Sequence, residues 1–400
     1  MKNSRAKILF GIFIIALFLR LSAVFSQEGI DELPKSDAIE YDEMAVNLAS
    51  GNGLSLFING SITPVAYRTP VYPIFLAGIY SIFGHSYLAV KIIQAVIGAL
   101  FCIVIFLIAN IIYDDATIGL IASLCVALYK PFISGFSYCG GPKSLLSEYL
   151  HMFMVGLAVL TTLYFIKNRG IRIGILSGIF MGLAILTRPE FVIFPSVLAI
   201  YLLYISRLSV KTFIKKYFII YLFIILTMSP WVIRNYIVYK DFIPLTTLGG
   251  GQFWLGNNSL ANGGSFGNLV LSEDRSSNQE DKKWFKVGIR ELRNNPRRIP
   301  KLFIKKILVL WAPFENGFKI FNPFYAFVLF FGSIGILFFR KKVILEKVLL
   351  IILLSATIAA IIIFGHPRYR YPYEPYLIIF TALAISGIIK KMKGNIICKK

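Results

Sequence analysis

The sequence predicts an all-helical integral membrane protein of about ten spans, and three observations carry that expectation. Hydrophobic residues make up 57% of the 400 positions and charged residues 16%, and the mean hydropathy is +0.71. Such a chain is too apolar for soluble domains and makes the bilayer its solvent. Ten apolar runs are long enough to cross roughly 30 Å of hydrocarbon: 8–25, 87–112, 116–136, 144–166, 171–187, 190–206, 212–233, 321–339, 343–364 and 373–389. The cations, finally, fall in short clusters between these runs. The net charge of +22 therefore reports membrane topology rather than nucleic-acid binding, because no basic and aromatic module stands apart from the apolar segments.

Taken in order, the chain opens with Lys2, Arg5 and Lys7 before the run Ile8–Phe25. That run is long and lacks a clean small-x-small cleavage site, so it reads as a retained first span rather than a removed signal. Arg20 inside it requires a cavity or a carboxylate partner, for which the acidic loop that follows is a candidate. Seven of the 20 acidic residues fall between Glu28 and Glu43. Within this loop Asp37, Tyr41, Met44, Ala45 and Leu48 recur at helical spacing and Gly51 stands at a C′ position, which predicts a short amphipathic helix on the membrane surface. Asp37 has two readings. With Glu40 it matches a helix N-cap and its capping partner. It can also face a polar pocket, with Arg68 at the end of the same loop as the matching cation.

Two further runs, Val71–Phe83 and Leu302–Trp311, are short, and the second carries Lys305 and Lys306. If such runs also spanned, the count would rise to about twelve or thirteen, and two central clusters would face outward. As surface or re-entrant helices they leave every short cluster inside: Lys167/Arg169/Arg172, Arg207/Lys211/Lys215/Lys216, Arg340/Lys341/Lys342 and the basic tail. The Tyr113-Asp114-Asp115 loop is then inside without positive charge. The same arrangement gathers Asp37, Arg68, Glu148, Arg188, Arg234 and Arg368 at the outer face. Glu148 begins a span, where a carboxylate needs a polar cavity or a partner. Arg188 in LTRPEF, Arg234 in PWVIRNY and Arg368 and Arg370 in HPRYRYPYEP sit near prolines at outer span ends. Several guanidinium forks around one cavity suit an anionic, phosphorylated lipid.

Three parts follow: a transmembrane module 1–233 with the outer loop 27–86, an extracytoplasmic loop 234–320, and C-terminal spans with a basic cytoplasmic tail, 321–400. The middle part opens with the glycine-rich stretch Gly249–Asn268, a pocket cover or a plain loop. It continues through Lys282–Lys306 as basic amphipathic helices suited to anionic headgroups. The four cysteines imply no disulfide framework. His366 has no second histidine at metal spacing, and no metal ligand is assigned. Asp37, Glu40, Asp42 and Glu43 nevertheless leave a divalent cation open.

An acidic residue with Tyr41 four positions on, then the Arg-x-Pro-x-Tyr-Pro element from Arg68, resembles the first outer loop of the lipid-dependent glycosyltransferases with the GT-C fold. The subgroup is glycosyltransferase family 39 with its protein O-mannosyltransferase-like and aminoarabinose transferase-like relatives. Ser147-Glu148, Thr187-Arg188-Pro189, Pro230-Trp231 through Arg234-Asn235, Gly256-Asn257-Asn258 and Arg368 to Pro372 continue the match in order. The resemblance implies a GT-C bundle in the cell membrane. It implies an outward-facing site that transfers a sugar from a polyprenyl-phosphate donor to a glycan, lipid or protein acceptor, with Asp37 as the catalytic acidic residue. Tyr41, Arg68, Glu148, Arg188, Arg234, Arg368 and Arg370 are then the substrate-binding candidates. This sequence carries Asp37-Ala38 where several relatives carry Asp-Glu. The alternative is a transporter or flippase of a polyprenyl-linked anion, which would show related halves and charged or broken helices near the midplane.

In a background freed of native cysteines, a cysteine at Asn168 or Lys341 is expected to react with an impermeant thiol reagent only from the cytoplasm. One at Asn262 is expected to react only from outside. External labelling at Asn168 would overturn the ten-span arrangement.

Overall fold

The computed structural model describes residues 2–26, 36–135, 141–168, 170–205, 209–264, 278–315 and 318–397. Glu28, Asp31, Glu32, Cys139, Arg169, Arg207, Cys398 and the end of the glycine-rich stretch lie outside them. The chain begins with α1 (Lys2–Phe25), the surface helix α2 (Asp37–Ala49), the hairpin β1 (Ser55–Ile58) and β2 (Ser61–Pro64), and α3 (Val71–Phe83). There follow α4 (Tyr87–Tyr113), α5 (Ala116–Leu128), α6 (Lys130–Ser134), α7 (Glu148–Asn168), α8 (Ile171–Thr187), α9 (Ile193–Ile200) and α10 (Val210–Tyr239). The segment after α10 holds α11 (Gly249–Asn257), α12 (Asn278–Asn294), α13 (Ile299–Trp311) and the two-residue pair β3 (Phe314–Glu315) and β4 (Ile320–Phe321). The chain closes with α14 (Pro323–Ile334), α15 (Ile344–Ile362), α16 (Pro367–Arg370) and α17 (Glu374–Ile397).

Among the described residues the ten expected spans are mainly helical. Among the described residues six helices are long and apolar enough to cross a membrane: 4–25, 87–113, 148–168, 210–239, 344–362 and 367–392. Shorter apolar helices cover 71–83, 116–128, 171–187, 189–204 and 323–339. The run expected over 116–136 breaks at Tyr129, where extended backbone separates α5 from α6.

The core is a bundle in which α4 packs on α1, α5 and α7, α8 lies between α7 and α10, and α17 fits between α5 and α14. Within lipid, apolar side chains do little to draw helices together, so close backbone approach and internal hydrogen bonds carry more of the association. Helix α8 presents Gly174, Gly178 and Gly182, one glycine per turn, to α10. A Cβ on Gly178 would meet the Ile220 carbonyl oxygen and, at 2.6 Å, the Phe223 Cβ; one on Gly182 would meet Thr227 Cβ at 2.6 Å. This stripe is readable in the sequence, but its partner is not.

Arg20 is fully buried in the bundle. It does not reach a carboxylate of the acidic loop within the described residues. Its Nε donates to Tyr149 Oη (2.8 Å), Nη1 to the Ala16 and Ala127 carbonyls (3.0 and 3.4 Å) and Nη2 to the Val126 carbonyl (3.2 Å). Carbonyl groups thus satisfy a cation that the sequence led us to pair with an acid.

Two expected outcomes test this packing. Gly178→Leu should destabilise the detergent-purified protein by about 1–3 kcal/mol, read as a lower thermal midpoint, whereas Gly78→Ala, where a Cβ has nothing within 4 Å, should leave the midpoint unchanged or slightly raised. Arg20→Ala should cost about 1–3 kcal/mol, because buried acceptors lose their donor.

Candidate active site

Three local structures deliver the site. The first is α2, whose Gly51 takes φ +83° and donates its N–H to the Leu48 carbonyl at 3.1 Å, ending the helix where the sequence predicts. Its N-cap is Ser36, and no side-chain cap bond forms. Asp37 is therefore not the cap: it occupies the first helical turn with its carboxylate free to act elsewhere. The second is the β1–β2 hairpin, turned by Asn59 and Gly60 with both φ positive, 50° and 80°, the pattern that matches strand twist in a two-residue turn. Its outgoing strand leads to Tyr67 and Arg68, and Thr69 Oγ1 then donates to the Thr187 carbonyl at 2.8 Å, tying the loop to the end of α8. The third is a pair of proline-punctuated helix ends. Pro189 holds Arg188 in extended backbone, φ −147°. Pro367 starts α16 after His366, whose Nδ1 accepts the Arg368 N–H at 3.1 Å.

These elements assemble an alternating chain of seven charges. Glu40 Oε2 accepts from Arg68 Nε and Nη2 (2.9 and 2.6 Å), and Arg68 Nη2 also donates to Asp37 Oδ1 at 2.9 Å. The second oxygen, Asp37 Oδ2, accepts from Arg368 Nη1 at 2.8 Å. Arg368 Nε reaches Glu148 Oε1, which also accepts from Arg188 Nη1 at 2.5 Å, and Arg188 Nε donates to Glu190 Oε1 at 2.6 Å. Each guanidinium thus bridges two carboxylates. Glu148 is wholly buried, and its Oε2 has no partner among the described groups. Arg68 and Arg188 also lie over the Tyr41 and Tyr369 rings, 5.2 and 5.3 Å from the centroids.

A cavity of about 630 Å³ opens over this chain. Asp37, Tyr41, Arg68, Arg188 and Arg368 line it, with Glu148 behind them; Leu245, Leu248, Ile362, Ile363 and Phe364 form an apolar wall. Burial alone would raise the Asp37 carboxyl, but Arg68 and Arg368 outweigh it and hold it down to about 2. Burial, followed by the positive charges of Arg368, Arg370 and Arg188, pushes His366 down to about 4, so it adds no positive charge at neutral pH. Tyr41 donates to Ser147 Oγ at 3.3 Å, which fixes one edge of the opening.

Arg234 and Arg370 lie elsewhere. Arg234 donates to the Val65 and Leu54 carbonyls (3.0 and 2.9 Å), stapling the base of the hairpin to α10. Arg370 is buried against Glu374 (2.8 Å), donates to the Leu310 and Ala312 carbonyls, and stacks 3.9 Å from the Tyr325 ring centroid. Glu190 was not selected from the sequence, and Glu40 was read there as a capping partner or cation ligand rather than as the partner of Arg68. Each lies within three residues of a chosen one, and only that proximity could have signalled its place in the chain. Asp42 turns away and accepts from Tyr80, Tyr87 and His85 at 2.6, 3.0 and 2.8 Å. Among the described residues no three His, Cys, Asp or Glu side chains converge as a metal shell. Asp37 and Glu40 engage guanidiniums.

Residues 67–233 match the family described as dolichyl-phosphate-mannose-protein mannosyltransferase. No curated protein matches the chain. Among solved structures the chain is similar to the oligosaccharyltransferase AglB from Archaeoglobus fulgidus, in complex with an inhibitory peptide and a dolichol-phosphate. The identity there is 14% and the TM-score 0.63, covering 98% of this chain and 51% of that one. It is also similar to ArnT from Cupriavidus metallidurans bound to undecaprenyl phosphate, at 15% identity and a TM-score of 0.55, over 96% of this chain and 60% of that one. The chain spans about half the length of the first and three-fifths of the second. The fold is that of the multispanning GT-C glycosyltransferases.

Pairing depresses the folded-state value of Asp37 below its ordinary 3.8. Its stabilisation is therefore fully present above that value and lost as the pH falls through about 2. The difference in thermal midpoint between the native chain and Asp37→Asn is expected to stay constant from about pH 8 to 5 and to shrink only below about 4. A difference that titrates near neutrality would contradict the paired carboxylate.

Proposed function

We propose that this chain is a glycosyltransferase that moves a hexosyl or pentosyl unit from a polyprenyl-phosphate-linked donor to a glycan, lipid or protein acceptor at the extracytoplasmic face. The observation that carries the reading is Asp37, a carboxylate held between two guanidiniums at a cavity whose opposite wall is apolar. A lipid-phosphate sugar needs that combination: cations for the phosphate, hydrocarbon contact for the first prenyl units, and a base for the acceptor. The family match over residues 67–233 and the lipid-phosphate complexes of the two structural relatives support it.

The resting charges set the order of events. Three guanidiniums face four carboxylates, one negative charge in excess, so a phosphate must exchange for a carboxylate instead of adding to the chain. Arg68 and Arg368 turning to phosphate oxygens, which they can grip as bidentate forks, release Asp37. Its basicity then rises from the depressed resting value towards one suited to proton abstraction. Asp37 takes the proton of the acceptor hydroxyl as its oxygen attacks the anomeric carbon. The bond from that carbon to the phosphate oxygen breaks, and its electron pair stays on the phosphate, where the guanidiniums stabilise the added charge. Glu148, shared by Arg188 and Arg368, fixes both forks. We assign Arg234 and Arg370 to positioning the hairpin and the last helices. A flippase of a polyprenyl-linked anion remains the alternative, but the charges gather at one end of the bundle rather than along a path through its middle.

Asp37→Asn is expected to insert and fold, to bind the lipid-phosphate sugar, and to lose roughly 10²–10⁴ in single-turnover transfer. Asp42→Asn should be mild, since Asp42 points away. Arg68→Ala or Arg368→Ala should weaken donor binding, with lysine restoring only part of it because the fork is lost. Transfer by Asp37→Asn at the native rate would refute the catalytic assignment.

A further inference from the structure

The outer segment carries a second charged feature, separate from the cavity chain. Lys286, Arg290, Arg293, Arg297, Lys301 and Lys305 follow one another at intervals of three or four residues along α12, across the break at Pro296 and onto α13, and all six are exposed. At that spacing residues on a helix share one face. Among the described residues none of the six forms an ion pair with a carboxylate.

The acids of the same helix point the other way. Asp281 Oδ1 accepts the Gly250 and Gly251 N–H groups at 2.7 and 3.2 Å, Glu291 accepts the Ser259 N–H, and Glu280 is half-buried. Asp281 thereby caps α11, and Gly288 lets α12 lie against Phe253, a Cβ there meeting its ring at 2.8 Å. The inner face of α12 is consumed in holding α11. Its outer face is left with cations.

An apolar strip borders these cations. On α13, Ile304 and Leu308 are 59% and 53% exposed beside Lys301 and Lys305, and the turn that follows exposes Phe318 and Phe321. Leu302, Lys306 and Leu310 are buried against the bundle, so the helix is fixed with that strip facing outward. Long cationic side chains around exposed aliphatic and aromatic groups suit the boundary between headgroups and acyl chains. A soluble polyanion would satisfy the cations and leave Ile304 and Leu308 in water.

We propose that the α12–α13 face is a docking surface for the anionic phospholipid headgroups of the adjoining leaflet, with the stripe on the phosphates and Ile304 and Leu308 in the acyl boundary. It clamps α11, and with it the Gly249–Gln252 wall of the cavity, against the membrane. The proposal does not depend on the chemistry assigned to the cavity.

Hydrogen–deuterium exchange of the full chain in nanodiscs tests it. Amides of 278–311 are expected to exchange at least about fivefold more slowly in discs containing phosphatidylglycerol than in phosphatidylcholine discs, the factor corresponding to one cation near an anionic leaflet. High salt should erase the difference. The combined variant Lys286→Gln/Arg290→Gln/Arg293→Gln/Arg297→Gln should lose the protection, while unchanged exchange in α4 shows that the bundle is intact. Equal exchange in both disc types, protection retained by the variant, or the same protection from soluble polyphosphate in phosphatidylcholine discs would each overturn the proposal.

Discussion

The arrangement depends on one carboxylate, Glu148, sharing a single oxygen between two guanidiniums. A buried charge is tolerated only with partners, and here the partners come from the end of α8 and from α16. Arg368 in turn holds Asp37 on the surface helix, and Asp37 holds Arg68 at the foot of the hairpin. Removing Asp37, Arg368 or Glu148 leaves each neighbour with one partner instead of two. The chain therefore ties α2, the hairpin, the start of α7, the end of α8 and α16 to one another.

The fold was legible because its signal is long-range and redundant. Ten apolar runs and the cation clusters between them each say the same thing, and the described parts of those runs are mainly helical. Helix α2 was legible for a local reason: its apolar spacing and Gly51 specify both face and end. The α8–α10 contact was half legible, since glycines at every fourth position announce close approach without naming the partner.

The site was harder to read because an arginine beside a proline at a span end looks the same whether it meets a carboxylate or a carbonyl. Arg188 and Arg368 meet carboxylates; Arg234 and Arg370 chiefly serve backbone carbonyls and, for Arg370, Glu374. Periodicity cannot separate these uses, because the acceptors lie up to hundreds of positions away and carbonyls leave no mark in a sequence. Arg20 shows the same limit. Asp37 was undecided between cap and site for a related reason: an aspartate at the start of a helix suits both roles, and only the position of Ser36 one residue earlier separates them.

The span of chain between Asp37 and Arg368, 331 positions, has a consequence for biogenesis. Proteins are made from the N-terminus and earlier parts can associate first, so Arg68 can join Asp37 and Glu40 while most spans are still unmade. Glu148 finds Arg188 after 40 further residues and has a partner as it enters the membrane. Arg368 arrives last and joins two clusters that are each already neutralised in part. The row of charges beside the cavity is therefore complete only once α16 has been made.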